Sequence, residues 1–493
     1  MGHTTMHRNN DKRKKRIQLA FVYTVMALSV VAIVTILVLI MQGYRFNKYD
    51  GRVEQGGLLQ FDSRPSGATV TVDNITLANK TASKITVLAG THKVIMTKEG
   101  YTSWNKTINV APGSITWLNY TLLMPQKPAL RTVETLPSVT SSLVSPDRKY
   151  LASVPAAENP VVHVVALNSA SPEITKVTIP TSLYSPAQEG ENHSFKLINW
   201  DNDGRYMIVQ HSYATNKQEY LSIDLRGSDA GRNLTMDLGV DILAVEYSLA
   251  SSNTVYIMTS SRDIRRADIA AKTLSGPLIS NVQAFAQTDD STIAYTSLPD
   301  DMGGRSVGYM TSGAAKAKVV RSYNGDTPQI PQLRTGKYYG EEFMVMTHNN
   351  TVEILKGSIP SSDVTTVLDL VQVAKFDCSA AVTSTGFSPV QNRFVVSWCG
   401  DAVMTYDLEL FALSRANIKG ETGTTTNWIS PFQWATTANN TLAYYDFDGT
   451  NKQVVATEPI RQAATLSENG KYFYHFAASG NSTLLIRTSM TID

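Results

Sequence analysis

Cysteine is nearly missing from this chain: 493 residues carry two, Cys378 and Cys399. Two thiols without neighbouring histidines leave no metal-binding set of the Cys/His kind. Charge is thin as well, with 17% Asp, Glu, Lys and Arg and a formal net charge of +2. Much of the basic excess sits in the first 16 residues, so the remainder is close to neutral. That argues against a polyanion-binding groove and against nucleic acid as a partner. The 8 histidines are scattered singly, without the paired helical spacing of a zinc protease. Neither a G-x-S-x-G elbow nor a glycine-rich phosphate loop after a strand is present. On these grounds the expectation is no enzyme, no cofactor and no metal.

What the chain does have is one long apolar run. Ile17 to Met41 contains no charged side chain. As a helix it would be about 37 Å long, enough to cross a hydrocarbon core of about 30 Å with some tilt. A secretory signal has a shorter core and a small-residue cleavage site, whereas Gln42-Gly43-Tyr44-Arg45-Phe46 offers none. The run therefore reads as an uncleaved signal-anchor, and its partner is the lipid bilayer. Arg8, Lys12, Arg13, Lys14, Lys15 and Arg16 precede it, opposed only by Asp11, while Arg45, Lys48 and Arg52 behind it are interleaved with Asp50 and Glu54. The positive-inside rule then places residues 1–16 in the cytoplasm, 17–43 in the cell membrane as a single pass, and the juxtamembrane linker 44–56 and the rest of the chain outside. Tyr44, Phe46 and Tyr49 suit an outer aromatic belt.

Beyond the linker, apolar and polar residues alternate with a period of two. Stretches such as LLQFDSRPSGATVTVDNITL and KITVLAGTHKVIMTKEGYTSW read as strand–turn–strand. The segment 57–125 is expected to be a small all-β domain. Its residues also resemble the PEGA domain: Pro65-Ser66-Gly67-Ala68 in place of the naming motif, then Gly90-Thr91-His92-Lys93-Val94, Gly100-Tyr101 and Val110-Ala111-Pro112-Gly113, in order. Ser66 replaces the naming glutamate, and a G-x-T-P segment is faint around Asn79-Lys80-Thr81-Ala82. The resemblance implies a structural or interaction module, with Pro65, Ser66, Gly67, Ala68, Gly90, Gly100 and Tyr101 shaping turns.

Residues 126–139 read as a short linker or as the first outer strand of the next domain. From 140 to 493 one phrase returns eight times: a turn rich in Ser, Asp, Asn or Gly, an apolar strand, then a strand ending in an apolar-Asp-Leu step. It begins at Ser145, Asn199, Tyr247, Ala284, Gly336, Gly386, Pro431 and Leu466. Spacings of roughly 35 to 55 residues are those of propeller blades. Ser145 to Ala152, SPDRKYLA, is similar to the blade phrase of WD40-like and TolB-like β-propellers. The expected fold is therefore mainly β: an N-terminal transmembrane helix, a small PEGA-like β-domain, and a seven- or eight-bladed β-propeller. Asp-Gly-like pairs are expected to make tight hairpins within each blade.

Cys378 and Cys399 each lie in a β-like run and could be bridged outside the cell, with two buried free thiols as the alternative. Asn199 to Gly204 imitates the start of a calcium loop but lacks its closing glutamate, and reads as a blade turn. His211, His348 and His475 follow blade strands and are candidates for a central pocket, with a surface or turn position as the alternative. Glycosylation sequons occur at Asn74, Asn79, Asn105, Asn119, Asn192, Asn233, Asn349, Asn439 and Asn481. The leading functional expectation is a cell-envelope protein that binds or scaffolds an envelope protein or a cell-wall or surface glycan. The competing one is a propeller-fold glycan hydrolase or lyase, which needs two carboxylates about 5–10 Å apart in the funnel. Oligomeric state is left open.

Overall fold

The structure, a computed structural model, describes residues 7–41, 44–46, 53–227, 231–325, 329–418, 425–438 and 440–492. It divides into two units, 1–126 and 127–493.

The first unit begins with a helix, His7–Met41. The basic segment taken as a separate tail is thus helical from His7, continuous with the apolar run, because nothing between Asn9 and Arg16 breaks a helix. Within it Lys14–Met41 is long and apolar enough to cross a membrane. Its Ser and Thr hydroxyls are already satisfied: Thr24, Ser29 and Thr35 each donate to the carbonyl four residues back, at 2.8–2.9 Å. In hydrocarbon, where no water can do so, that is what a polar side chain needs.

Two four-stranded sheets come next and face each other. One holds Tyr44–Phe46, Val53–Arg64, Ser83–Leu88 and Ile115–Leu122; the other holds Thr69–Val72, Ile75–Thr76, Gly90–Thr97 and Trp104–Val110. The linker expected at 44–56 is therefore part of a sheet at both ends: Tyr44 pairs with Gln55 and Phe46 with Val53. Residues 47–52 lie outside the described residues. Alternate side chains form the core, with Leu59, Phe61, Val70, Val72, Val94, Met96, Trp104 and Leu118 all buried.

The second unit contains, among the described residues, eight four-stranded antiparallel sheets that succeed one another along the chain. We number them as blades 1 to 8: 141–178, 194–233, 242–274, 282–323, 332–377, 382–417, 425–457 and 465–489. The last sheet owns only three C-terminal strands. Its fourth is Leu130–Leu136, which pairs with Ser482–Ser489 from Thr488↔Leu130 to Thr483↔Leu136. The stretch 126–139 is thus not a linker throughout. It carries the strand that joins the two ends of the unit.

Packing closes the circle. Blades 1 and 2 share one apolar cluster, and blades 2 and 3, 3 and 4, 4 and 5, and 5 and 6 share others. Phe394 stacks on Phe447 at 4.1 Å between blades 6 and 7, and Tyr444 meets Phe473 at 6.4 Å between blades 7 and 8. Leu136, Leu151, Val165, Tyr474 and Phe476 then join blade 8 to blade 1. Each second strand is buried on both faces: Met207 and Val209 pack toward blade 1 while Ile208 packs toward blade 3. This is why these strands read as unbroken apolar runs. The ring is an eight-bladed β-propeller.

The repeated phrase lies at the first hairpin of every blade, and its turn varies: two residues in blade 3 (Leu249-Ala250) and blade 5 (Tyr339-Gly340), longer in the other six. In blade 1 the Ser145 hydroxyl accepts from the Tyr150 amide (3.0 Å) and donates to Asp147 (2.6 Å). Ser467 does the same in blade 8 with Tyr472 and Asn469, and Ser388 accepts from Phe394 in blade 6. In blade 2 a carboxylate takes the place of the hydroxyl: Asp201 accepts from the Arg205 and Tyr206 amides at 2.7 and 2.8 Å. The calcium-loop look-alike is this turn. Tight two-residue hairpins occur also between second and third strands, at Asn349-Asn350, Gly400-Asp401 and Gly480-Asn481. Asn349, Gly400 and Gly480 there adopt φ of +55°, +63° and +59°.

Candidate functional site: the central cavity and its turn face

The first strands of the blades face the propeller axis. A cavity of about 550 Å³ lies there, lined by parts of blades 1, 6, 7 and 8. Its walls include Arg148, Phe387, Val390, Trp428, Arg461 and Gln462. Blade 1 is sewn to the entry of blade 8: the Ser142 hydroxyl donates to Gln462 (2.7 Å), and the Gln462 amide donates to the Val139 carbonyl (3.0 Å). Arg148 reaches past blade 8 to donate to the Ile429 carbonyl of blade 7. Phe387 fits against blade 5 only because residue 336 is glycine; a Cβ there would meet the ring at 2.9 Å.

A second cavity of about 490 Å³ is lined by blades 4, 5 and 6, including Phe285, Tyr295, Gln332 and Arg334. Burial pushes the Arg334 pKa down against the pull of Glu246. Burial likewise pushes Glu246 up, although it accepts from the Gln287 amide at 3.0 Å. Among the described residues, none lining either cavity is a carboxylate. The carboxylate pair required by the hydrolase reading is not among them.

Beside the larger cavity the loops carry exposed apolar side chains. Val390 (82% exposed) lies on its rim, and Tyr339 (86%), Leu410 and Phe411 (both 56%) lie in turns at the same end of the blade 5 and 6 strands. One polar knot holds these loops together: Glu409 accepts from the Tyr338 hydroxyl at 2.9 Å and pairs with Arg393 at 2.6 Å, while Asn392 donates to the Lys337 carbonyl at 3.3 Å.

The three candidate histidines line neither cavity. His348 stacks on Tyr323 at 4.2 Å. His475 is buried, and desolvation pushes its pKa down to about 4. His211 is buried against Glu219 at 2.8 Å. That carboxylate also accepts from the Ser185 amide and hydroxyl and from Asn233 (2.6, 3.0 and 2.9 Å), and the sum outweighs burial, holding its pKa down to about 2. Asn233, read as a sequon on the surface, is therefore buried, its amide engaged by Glu219 and the Leu183 carbonyl. Asn439 lies outside the described residues. Cys378, after the outer strand of blade 5, and Cys399, closing the second strand of blade 6, are bridged, with Cα atoms 5.8 Å apart.

In the first unit, the turn at Pro65-Ser66-Gly67-Ala68 is clamped from the faint segment. The Thr81 hydroxyl accepts from the Ala68 amide (2.9 Å) and bonds the Ser63 hydroxyl (2.7 Å), while the Thr81 carbonyl accepts from Gly67 (3.1 Å). Gly67 and Gly100 hold φ of +82° and +81°, and Gly90 of +135°, conformations that favour glycine. Ala68 and Tyr101 are buried, whereas Ser66 is exposed and accepts from Lys98 through its carbonyl. Residues 57–126 match the PEGA domain family. This sandwich is a PEGA domain.

The PEGA match leaves the propeller to structural comparison. The chain is similar to the C-terminal WD40 domain of Sif2, at 13% identity and a TM-score of 0.48, covering 72% of this chain and 97% of that one. It is also similar to the β-propeller domain of Myceliophteria thermophila Cps50 (Swd1), at 11% and 0.40, covering 73% and 99%. A third neighbour is an oligogalacturonate lyase in complex with manganese, at 10% and 0.43, covering 68% and 99%. These likenesses concern the fold alone. No curated protein matches the chain.

Proposed function

We propose that this protein is a single-pass cell-envelope protein whose propeller, held outside the membrane, binds a protein partner on its turn face without catalysis. The observation that carries this reading is the continuity between cavity and surface. Val390 belongs to both, and its loop is tied through Asn392–Lys337 and Arg393–Glu409 to the turns that bear Tyr339, Leu410 and Phe411. Exposed apolar side chains gathered on one face, with an aromatic and arginine-lined recess beside them, are the composition of a binding surface more than of a reaction centre. The basic residues ahead of the helix favour a cytoplasmic N-terminus, which puts PEGA domain and propeller outside.

The test is site-specific photocrosslinking in intact cells. A crosslinker at Phe411 or Val390 is expected to trap one dominant envelope protein, and a crosslinker at Asn481, in a turn at the other end of the strands, is expected not to. The adduct should be lost in Trp428→Ala. Equal adducts from both faces, or none from Phe411, would overturn the reading.

A further inference from the structure

The PEGA domain has an outer sheet face that nothing in its own sandwich covers. The register aligns that face in four rows: Arg45 opposite Glu54; Leu88 opposite Gly56; Thr86, Leu58 and Ile115; and Lys84, Gln60 and Trp117. Leu59 and Phe61, of opposite parity, point into the core. Leu88, Ile115 and Trp117 are 49%, 50% and 43% exposed, a high cost in water for three large apolar side chains on one sheet face.

Where the face lies along the chain says what covers it. The helix ends at Met41 and the sheet begins at Tyr44, so the tether between them spans about 10 Å at most. Tyr44 pairs with Gln55, the neighbour of Gly56. The row containing Leu88 is thus one residue from the strand that leaves the helix, and the row containing Ile115 is three residues from it. The row next to the tether is Arg45 opposite Glu54, placed where lipid headgroups would meet a cation, and the two apolar rows follow directly behind it. Trp117 and Lys84, in the fourth row, are the side-chain types that settle among lipid headgroups, one with an apolar ring and a polar N–H, the other with a long stem and a cation.

We propose that this face rests in the headgroup layer of the bilayer, so that the PEGA domain lies on the membrane surface and does not stand away from it as a stalk. The inference uses the membrane reading of the helix, and the experiment separates the two. Single cysteines at Ile33, Trp117 and Ile75 are introduced in the full chain, with Cys378–Cys399 left bridged. Each variant is spin-labelled and reconstituted in phosphatidylcholine–phosphatidylglycerol vesicles. Ile75, 68% exposed on the other sheet, is the aqueous control. The expected result is broadening by oxygen at 33, broadening by a water-soluble nickel complex at 75, and an intermediate response at 117. A label at 117 as accessible to nickel as that at 75, with 33 still in the lipid core, overturns the docking and leaves the anchor standing. A water-exposed label at 33 overturns both. Dipolar coupling between two labels at 117 means that a second copy covers the face, and this too overturns the proposal.

Discussion

Arg393, immediately ahead of the second strand of blade 6, lies bidentate on Asp407, which closes the third, with Nη2–Oδ2 at 2.7 Å and Nε–Oδ1 at 3.2 Å. The same two positions meet in other blades as Arg205–Asp224 and Asn253–Asp268, and in blade 7 Gln433, one residue further along, donates to Asp446. The next residue's amide then donates to the carbonyl of the first partner, as Leu408 does to Arg393 and Leu225 to Arg205. The apolar-Asp-Leu step in the repeated phrase is thus half of a side-chain latch, and the basic or amide residue ahead of the second strand is the other half.

Removing one side of the buried latch leaves a charge unpaired. Arg393→Ala is expected to cost about 3–5 kcal/mol in denaturant unfolding of the propeller. Burial disfavours the Arg393 cation, but Asp407 and Glu409 keep its pKa raised. The same substitution at Arg205, whose side chain is more exposed, is expected to cost less. Equal losses at the two sites would contradict the latch.

The disulfide closes a span of 21 residues across the boundary of blades 5 and 6. By the chain-entropy estimate, Cys378→Ser with Cys399→Ser should lower stability by about 3 kcal/mol. Unfolding with and without reductant checks it, and reductant should leave the double variant unchanged.

Gly336 gives room to Phe387 at the cavity wall. Gly336→Ala is expected to cost about 1–3 kcal/mol by overpacking and to displace that ring. Gly386→Ala, with nothing within 4 Å of the added Cβ, is the control and should be near neutral.

The PEGA domain carries a pH dependence of its own. His92 donates from one ring nitrogen to Asp73 (2.5 Å) and from the other to the Leu88 carbonyl (2.7 Å), so the charged ring fits both acceptors. Burial lowers its pKa, but these bonds outweigh it and the value is raised. The bond to His92, with the Lys93 amide, lowers that of Asp73. The His92 contribution is therefore fully present below about pH 6.5 and lost as pH rises through its raised value. The Asp73 contribution is present above about pH 4 and lost as pH falls through its lowered value. NMR titration of the ring should show a pKa above 6.5 that falls in Asp73→Asn.

Much of this architecture is legible in the sequence because its signals are local. A 25-residue apolar run, alternation in the PEGA strands and a blade phrase repeated eight times depend only on neighbours. The features that escaped depend on partners far along the chain. Leu130–Leu136 has little apolar alternation, and its place as an outer strand comes from pairing with residues 483–488. Asn233 looks like a surface sequon until Glu219, two strands of one blade brought together, claims its amide. The cavity gathers Arg148, Phe387, Trp428 and Arg461 from four blades, which no motif spacing could announce.

The central claim is that one helix holds the propeller outside the cell, and thiol labelling in intact cells tests it most directly. A cysteine at Asn481 is expected to react with a membrane-impermeant maleimide before lysis, and one at Thr5 only after it. Labelling of residue 5 in intact cells, with residue 481 protected, would contradict the account.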